Sequence, residues 1–477
     1  MILIHILIFS LAAIILGLIP RQNVRHWLIL ALSVLAIYWM QPITPIRQLD
    51  FWLPTATILL TLFTWITVQA GKEDSREVIR ASLPGIALVI GIVLAVAGMR
   101  YLGDVCCLTP SAPPPILFVL IGITLAAILA AILYAIPIPS NVKITILVIA
   151  LIALMVALKT PSLAQVASAW LRTINAQSAD QVTPFDIRWL GISYVFFRLV
   201  QVLRDRRSGV LPPFPLHHFV EYVLFFPTYT AGPIDRAERF LKDTQRDFRL
   251  SWPDLYAGGQ RIIVGLFKKF ALADLLAIIA LDAVKVAQVD STLWTWIMLY
   301  AYAFRIYFDF SGLSDVAIGL GTLMGFSTPE NFDHPYRKSD LTSFWNSWHI
   351  TLALWFRAYY FNPVSRSLRT SRLKLTPALI IAFSQITTMI LIGMWHSITP
   401  NFVIWGAWHG VGLFVHNRFA NWMKPRIRQI DAQPRLKLAL NIAGWLITFH
   451  FVVLGWVWFA LPETSQAVIV FRRLFGF

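Results

Sequence analysis

Several stretches of this chain run for close to twenty residues with almost no charge, and that property limits the folds open to it. Ile2–Ile19, Leu53–Ala70, Leu83–Met99, Ile116–Ile136, Ile144–Leu158, Thr376–Met394 and Leu438–Phe459 approach the ~20 apolar residues that cross a bilayer as a helix. A membrane barrel would instead need alternating segments of ~10 residues. The chain is 57% hydrophobic and 13% charged, against roughly 25% charged in soluble domains. These features predict an all-α, polytopic membrane protein. With shorter and more polar spans included, hydropathy predicts about 11 to 13 membrane helices.

Basic residues fall in alternate loops: Arg21 and Arg25, then Lys72, Arg76 and Arg80, later Arg204, Arg206 and Arg207. The positive-inside rule places those loops in the cytoplasm and the N-terminus outside. The first span lacks a basic residue before it and a small-residue cleavage site after it, so it reads as a retained helix. The net charge of +16 fits basic loops meeting anionic lipid headgroups; it would also steer an acidic cytoplasmic partner. No recognition fold for nucleic acid accompanies it.

Texture changes along the chain. Residues 1–184 read as scaffold helices, 185–420 as a core in which Asp, Arg, His and Gly enter the spans, and 421–477 as C-terminal helices, all within one membrane domain. Histidine in hydrocarbon is costly unless it has a partner or a water-lined cavity, so an intramembrane histidine is a candidate functional residue. Trp345, His349, Leu352 and Phe356 follow the spacing of one helical face over Leu341–Phe361, with Asn346, Trp348 and Arg357 beside the stripe. An amphipathic helix at the membrane interface would show the same pattern. Thr399-Pro400 is a helix-start signal, which sets Trp395, His396 and Ser397 in or beside a break and His409 inside the following helix. Indole walls around such an imidazole exclude water, and a neutral ring there can take a proton from a hydroxyl. A hydrogen-bonded core histidine is the competing explanation for each. Asp309, in an aromatic span, could orient a histidine or form an ion pair; the glycines after it permit close helix approach.

Other chemistries lack their signatures. No His-Glu-x-x-His helix or close histidine array suits a metal, so none is expected. A Gly-x-Ser-x-Gly elbow is missing too. A transporter or flippase would explain many helices and an intramembrane Asp309, but no internal repeat of the kind many transporters show is detectable.

The ordered motifs Gly-Ile-Ser-Tyr (191–194), Phe-Phe-Pro-Thr-Tyr-Thr-Ala-Gly-Pro-Ile-Asp-Arg (225–236), Tyr-Phe-Asp-Phe-Ser-Gly (307–312), Pro-Glu-Asn-Phe (329–332), Phe-Trp-Asn-Ser-Trp-His (344–349), Gly-Met-Trp-His (393–396) and Trp-Gly-Ala-Trp-His-Gly (405–410) resemble the membrane-bound O-acyltransferases, MBOAT. The likeness is to the bacterial branch of alginate O-acetyltransferases and teichoic-acid D-alanyl transfer proteins. It implies helices around a membrane-traversing funnel in the cell membrane. It also implies His396 as the catalytic histidine and His349 across the same tunnel, with Trp345, Asn346, Trp348, Trp395, Ser397, Asp309, Arg357 and His409 as substrate-binding candidates.

The reaction so implied moves an acyl group, acetyl by preference and D-alanyl as the alternative, onto a hydroxyl of an extracytoplasmic polysaccharide or envelope polymer. No cofactor is bound. The co-substrate is an acyl thioester, acyl-CoA or an acyl carrier protein, on the cytoplasmic side, and an extracytoplasmic acyl-relay partner is compatible. His396 would deprotonate the hydroxyl, while His349 and Asn346 would orient the donor or polarise its carbonyl. Two positions depart from the family pattern: Ala358 stands where a carboxylate is common after Arg357, and Ser397 where glycine is common.

Overall fold

The computed structural model describes residues 2–69, 75–103 and 106–477, with the backbone alone at 75 and 76; Lys72, read above as part of a cytoplasmic loop, lies outside them. Helix dominates, and extended pairing among the described residues is confined to an isolated antiparallel bridge between Phe332 and Trp348. Six helices there are long and apolar enough to cross a membrane: Leu49–Gln69, Glu77–Tyr101, Ile116–Ala135, Ser140–Lys159, Pro377–His396 and Pro434–Ala460. The about 11 to 13 expected from hydropathy include shorter and more polar spans, which these six leave out. The helices Ile192–Arg207 and Thr292–Met324 carry charged side chains, and Leu3–Leu18 has only 16 residues. Close contacts divide the chain into two compact units, Met1–Ile262 with Val316–Thr328, and Ile263–Asp315 with Pro329–Phe477.

In the first unit, Leu3–Leu18, Gln22–Trp39, Leu49–Gln69, Ser75–Gly98, Ile116–Ala135, Ser140–Lys159 and Pro161–Ile174 precede the more polar helix Ile192–Arg207. Along Leu49–Gln69 the hydroxyls of Thr57, Thr61, Thr64 and Thr67 each donate to the carbonyl four residues back, which satisfies a hydroxyl without water. Arg198 is 1% exposed. Its guanidinium donates to the carbonyls of Tyr222, Val223 and Thr228 and to the Thr228 hydroxyl. A buried cation needs such compensation, and here it fastens one helix to the Phe-Phe-Pro-Thr turn. Gly191 has φ +74°, and a β-carbon there would stand 2.6 Å from the Tyr229 ring. The Tyr229 hydroxyl closes the same contact by donating to the Leu190 carbonyl at 2.9 Å. Asp235 pairs with the Arg239 side chain and accepts the Arg236 backbone N–H.

The second unit is built on the first two thirds of Thr292–Met324 and on the hairpin of Pro377–His396 with Pro400–Met423. The turn around Tyr336 is tied on three sides. Its hydroxyl donates to the Ala303 carbonyl (2.9 Å) and accepts from the Trp456 indole (3.0 Å), while the Trp445 indole donates to its carbonyl (2.8 Å). The continuous helix expected over Leu341–Phe361 does not form. Leu341–Trp345 stops, His349 takes φ +44° and ψ +53°, Ile350–Phe356 restarts, and Arg357–Phe361 is π-helical. The break has a cause distant in sequence. Ile350 N–H donates to the Asn331 carbonyl and Asp333 N–H to the Ser347 carbonyl, each at 3.0 Å, so residues 347–350 pair with an extended strip and cannot remain helical.

The hairpin closes tightly because its facing residues are small. A β-carbon on Gly393 would meet the Phe402 carbonyl oxygen, and one on Gly406 would lie 2.5 Å from the Ile390 Cα. Backbone approach of this kind is what small residues permit between membrane helices. We expect Gly406→Leu to cost about 1–3 kcal/mol through overpacking, read as a lower thermal midpoint of the purified protein. An unchanged midpoint would contradict the packing described.

Candidate active site

The candidate catalytic histidines lie in the second unit, each at the end of a helix. His396 is the last residue of Pro377–His396, followed by Ser397 in extended conformation and by Thr399-Pro400 at the start of the next helix. The Thr-Pro signal and the glycine-lined hairpin thus set its imidazole at a helix break. It is half-buried, as are Trp395 and Ser397. Its walls are aromatic: ring centroids of Trp395, Phe459, Phe402 and Trp405 lie 4.5, 4.8, 5.7 and 5.9 Å away.

His349 caps the start of Ile350–Phe356 and is 4% exposed. Trp395 neighbours both rings, 6.2 Å from His349 and 4.5 Å from His396. Phe310 meets His349 edge to face at 4.6 Å. The Nδ1 atom of His349 lies 3.0 Å from Asn331 Oδ1. Among the described residues its Nε2 is buried with no hydrogen-bond partner.

The other predicted residues separate into distinct places. Trp345 packs on His409 and Trp405 at 5.2 and 5.8 Å. Trp348 stacks on Phe344 and contacts Tyr307, Phe332, Tyr336 and Trp456. His409 is 0% exposed and enclosed by Trp345, Trp405, Phe451 and Trp456. That is a core position, and Trp405 neighbours both this ring, at 5.0 Å, and that of His396, at 5.9 Å. Asp309 orients neither histidine; it pairs with Lys269, as Asp315 does with Lys268. Arg357, without the neighbouring carboxylate that Ala358 replaces, donates to Asn346 Oδ1 at 2.7 Å. Asn346 therefore faces an arginine on the exposed side of the break.

Sequence reasoning missed Asn331, Phe310 and Phe459. Asn331 and Phe310 stood in quoted motifs, but the partner of Asn331 lies eighteen residues on. His217 and His218 belong to none of those motifs. In the first unit they join His26 and the buried Glu221 around a cavity of about 310 Å³, with His26 Nδ1 at 2.9 Å and His218 Nδ1 at 3.7 Å from the carboxylate oxygens. Among the described residues, no group of three His, Cys, Asp or Glu side chains is placed to hold a metal ion.

Residues 133–459 match the family described as MBOAT, membrane-bound O-acyltransferase family. Among individual proteins, the chain is 32% identical over 277 residues to the teichoic acid D-alanyltransferase of Bacillus subtilis, covering 57% of this chain and 69% of that protein. It is 36% identical over 290 residues to the probable alginate O-acetylase AlgI of Pseudomonas aeruginosa, covering 60% and 52%. To the peptidoglycan O-acetyltransferase of Helicobacter pylori it is 33% identical over 270 residues, covering 55% and 48%. The chain thus spans about two thirds of the D-alanyltransferase and about half of each O-acetylating relative.

Accessibility gives a direct check on the placement of the three Trp-His histidines. With diethyl pyrocarbonate and peptide mass spectrometry on the folded protein, we expect His396 to be modified first, His349 slowly, and His409 only after unfolding. Early modification of His409 would contradict its enclosure.

Proposed function

Because the chain belongs to the membrane-bound O-acyltransferase family, we propose that it transfers an acyl group, acetyl in the first instance, from a thioester donor to a hydroxyl of a cell-envelope polymer. The observation that carries this reading is His396: an imidazole half-buried at a helix break, walled by indole and phenyl rings, with a second imidazole, His349, beside the same Trp395. The relatives' names supply the acceptor class, a polysaccharide or a teichoic acid. Membership in this family also sets aside a transporter.

In the proposed step a His396 ring nitrogen takes the proton of the acceptor hydroxyl as its oxygen attacks the thioester carbonyl carbon. The tetrahedral intermediate collapses with cleavage of the C–S bond, and the proton passes to the departing thiolate. The product is an oxygen ester and a free thiol. No acyl-enzyme is required, since the thioester is already activated. General base catalysis supplies ~10²–10⁴-fold, and holding both reactants in one aromatic-walled site adds proximity. The donor, acyl-CoA or a carrier protein, would be cytoplasmic. An extracytoplasmic relay protein could carry the acyl group onward.

The test is chemical analysis of ester-linked acyl groups on envelope polymers from cells carrying wild-type or His396→Ala protein at equal expression. We expect at least ~10²-fold less ester in the variant. Unchanged ester would reject His396 as the base, and release of D-alanine rather than acetate from the wild-type polymer would reassign the acyl group.

A further inference from the structure

The geometry points to Asn331 as a positioning residue for His349: it holds that imidazole with hydrogen on Nδ1 and the lone pair on Nε2, so His349 takes a hydrogen-donating group of the substrate and does not polarise the thioester carbonyl. This refines the role expected for His349 and rests on the acyl-transfer reading above.

The assignment follows from a donor that cannot act otherwise. The Asn331 side-chain atom at the centre of the cluster faces the Thr351 backbone nitrogen at 3.3 Å, the Thr351 hydroxyl at 2.9 Å and His349 Nδ1 at 3.0 Å. A backbone N–H only donates, so the atom facing it is the amide oxygen. The amide nitrogen then points the other way, donating to the Ser314 hydroxyl at 3.3 Å. Against that oxygen, His349 Nδ1 must carry hydrogen. In the neutral ring this leaves Nε2 as an acceptor.

The arrangement is held from both ends. Asn331 is 0% exposed, and its own carbonyl takes the Ile350 N–H at 3.0 Å. The Phe332–Trp348 bridge flanks this bond. Together they keep His349 at φ +44°, a conformation rare for a residue with a side chain and, where it occurs, often associated with function. Most buried polar atoms in folded proteins are paired. Yet among the described residues Nε2 of His349 has no partner, and the Phe310 ring, edge to face with it at 4.6 Å, has no polar atom to offer. An O–H or N–H of the substrate satisfies it; a carbonyl oxygen would meet lone pair with lone pair.

Two measurements test this. The first is nitrogen NMR of ¹⁵N-histidine-labelled full-length protein in detergent, with His349 assigned by His349→Gln. We expect a protonated Nδ1 and an unprotonated Nε2 in the wild type, and loss of that preference in Asn331→Leu. The second is the pH profile of kcat for Asn331→Asp, which keeps the accepting oxygen but adds charge. A carboxylate beside the ring favours imidazolium. The acid limb should therefore move to higher pH by about one pH unit or more, with KM for the donor little changed. Should Asn331→Leu fail to fold, the wild-type spectrum and the Asn331→Asp profile still decide. An Nε2-protonated ring in the wild type, or an unmoved acid limb in Asn331→Asp, overturns the inference. Absence of acyl transfer in the wild type alongside the Nδ1-protonated ring would instead reject the proposed function and leave the tautomer standing.

Discussion

In apolar surroundings a polar group has no water to fall back on, and the candidate site depends on one place where the chain meets that constraint with its own backbone. Residues 331–333 lie extended against 347–350, exchanging the Ile350 and Asp333 hydrogen bonds. Unpaired backbone groups are costly in such a setting, so the strip interrupts a helix only because it supplies the bonds that the helix gives up. The interruption turns His349 out of the apolar stripe to which its spacing assigned it and against the Asn331 amide. Arg198 shows the same principle elsewhere, with four oxygens gathered around one buried guanidinium.

That constraint also explains the shape of several motifs. The glycine of Gly-Met-Trp-His is needed because the Phe402 carbonyl occupies the space of a β-carbon at position 393, three residues before His396. The Pro-Glu-Asn-Phe segment supplies the pairing strip and the amide at 331. In Phe-Trp-Asn-Ser-Trp-His, Phe344 and Trp348 stack on each other, while Asn346 is left outside to receive Arg357. That pairing accounts for how Arg357 is held although Ala358 offers no carboxylate.

How much of this could be read from sequence depended on how local each cause is. The apolar runs that open the chain read directly as helix, and the break at His396 is written in Thr399-Pro400, adjacent to it. The break at His349 is not, since Trp345, His349, Leu352 and Phe356 keep helical spacing through it and its cause lies at residues 331–333. Asp309 could be seen as an ion-pair candidate, but nothing local names Lys269 as the partner. Length and apolarity alone pick out six membrane helices among the described residues; Thr292–Met324 falls outside that criterion because Arg305, Asp309 and Asp315 sit beside its apolar aromatics, and hydropathy cannot weigh charges that are later paired.

The three Trp-His pairs share a local sequence and end in different surroundings, which follow from packing. His409 follows Trp408 inside an uninterrupted helix, so its ring enters the hairpin core and meets Trp345, Trp405, Phe451 and Trp456; an imidazole so enclosed cannot exchange a proton with a substrate. His349 follows Trp348 at a forced break, buried but with one nitrogen committed to Asn331 and the other left open. His396 follows Trp395 at a helix end and keeps part of its surface. A proton acceptor needs both a lone pair and an approach for the group that delivers the proton. Of the three, His396 has the approach, His349 has an acceptor whose direction is fixed, and His409 lacks access altogether. The division of labour proposed for them therefore follows from where the helices stop.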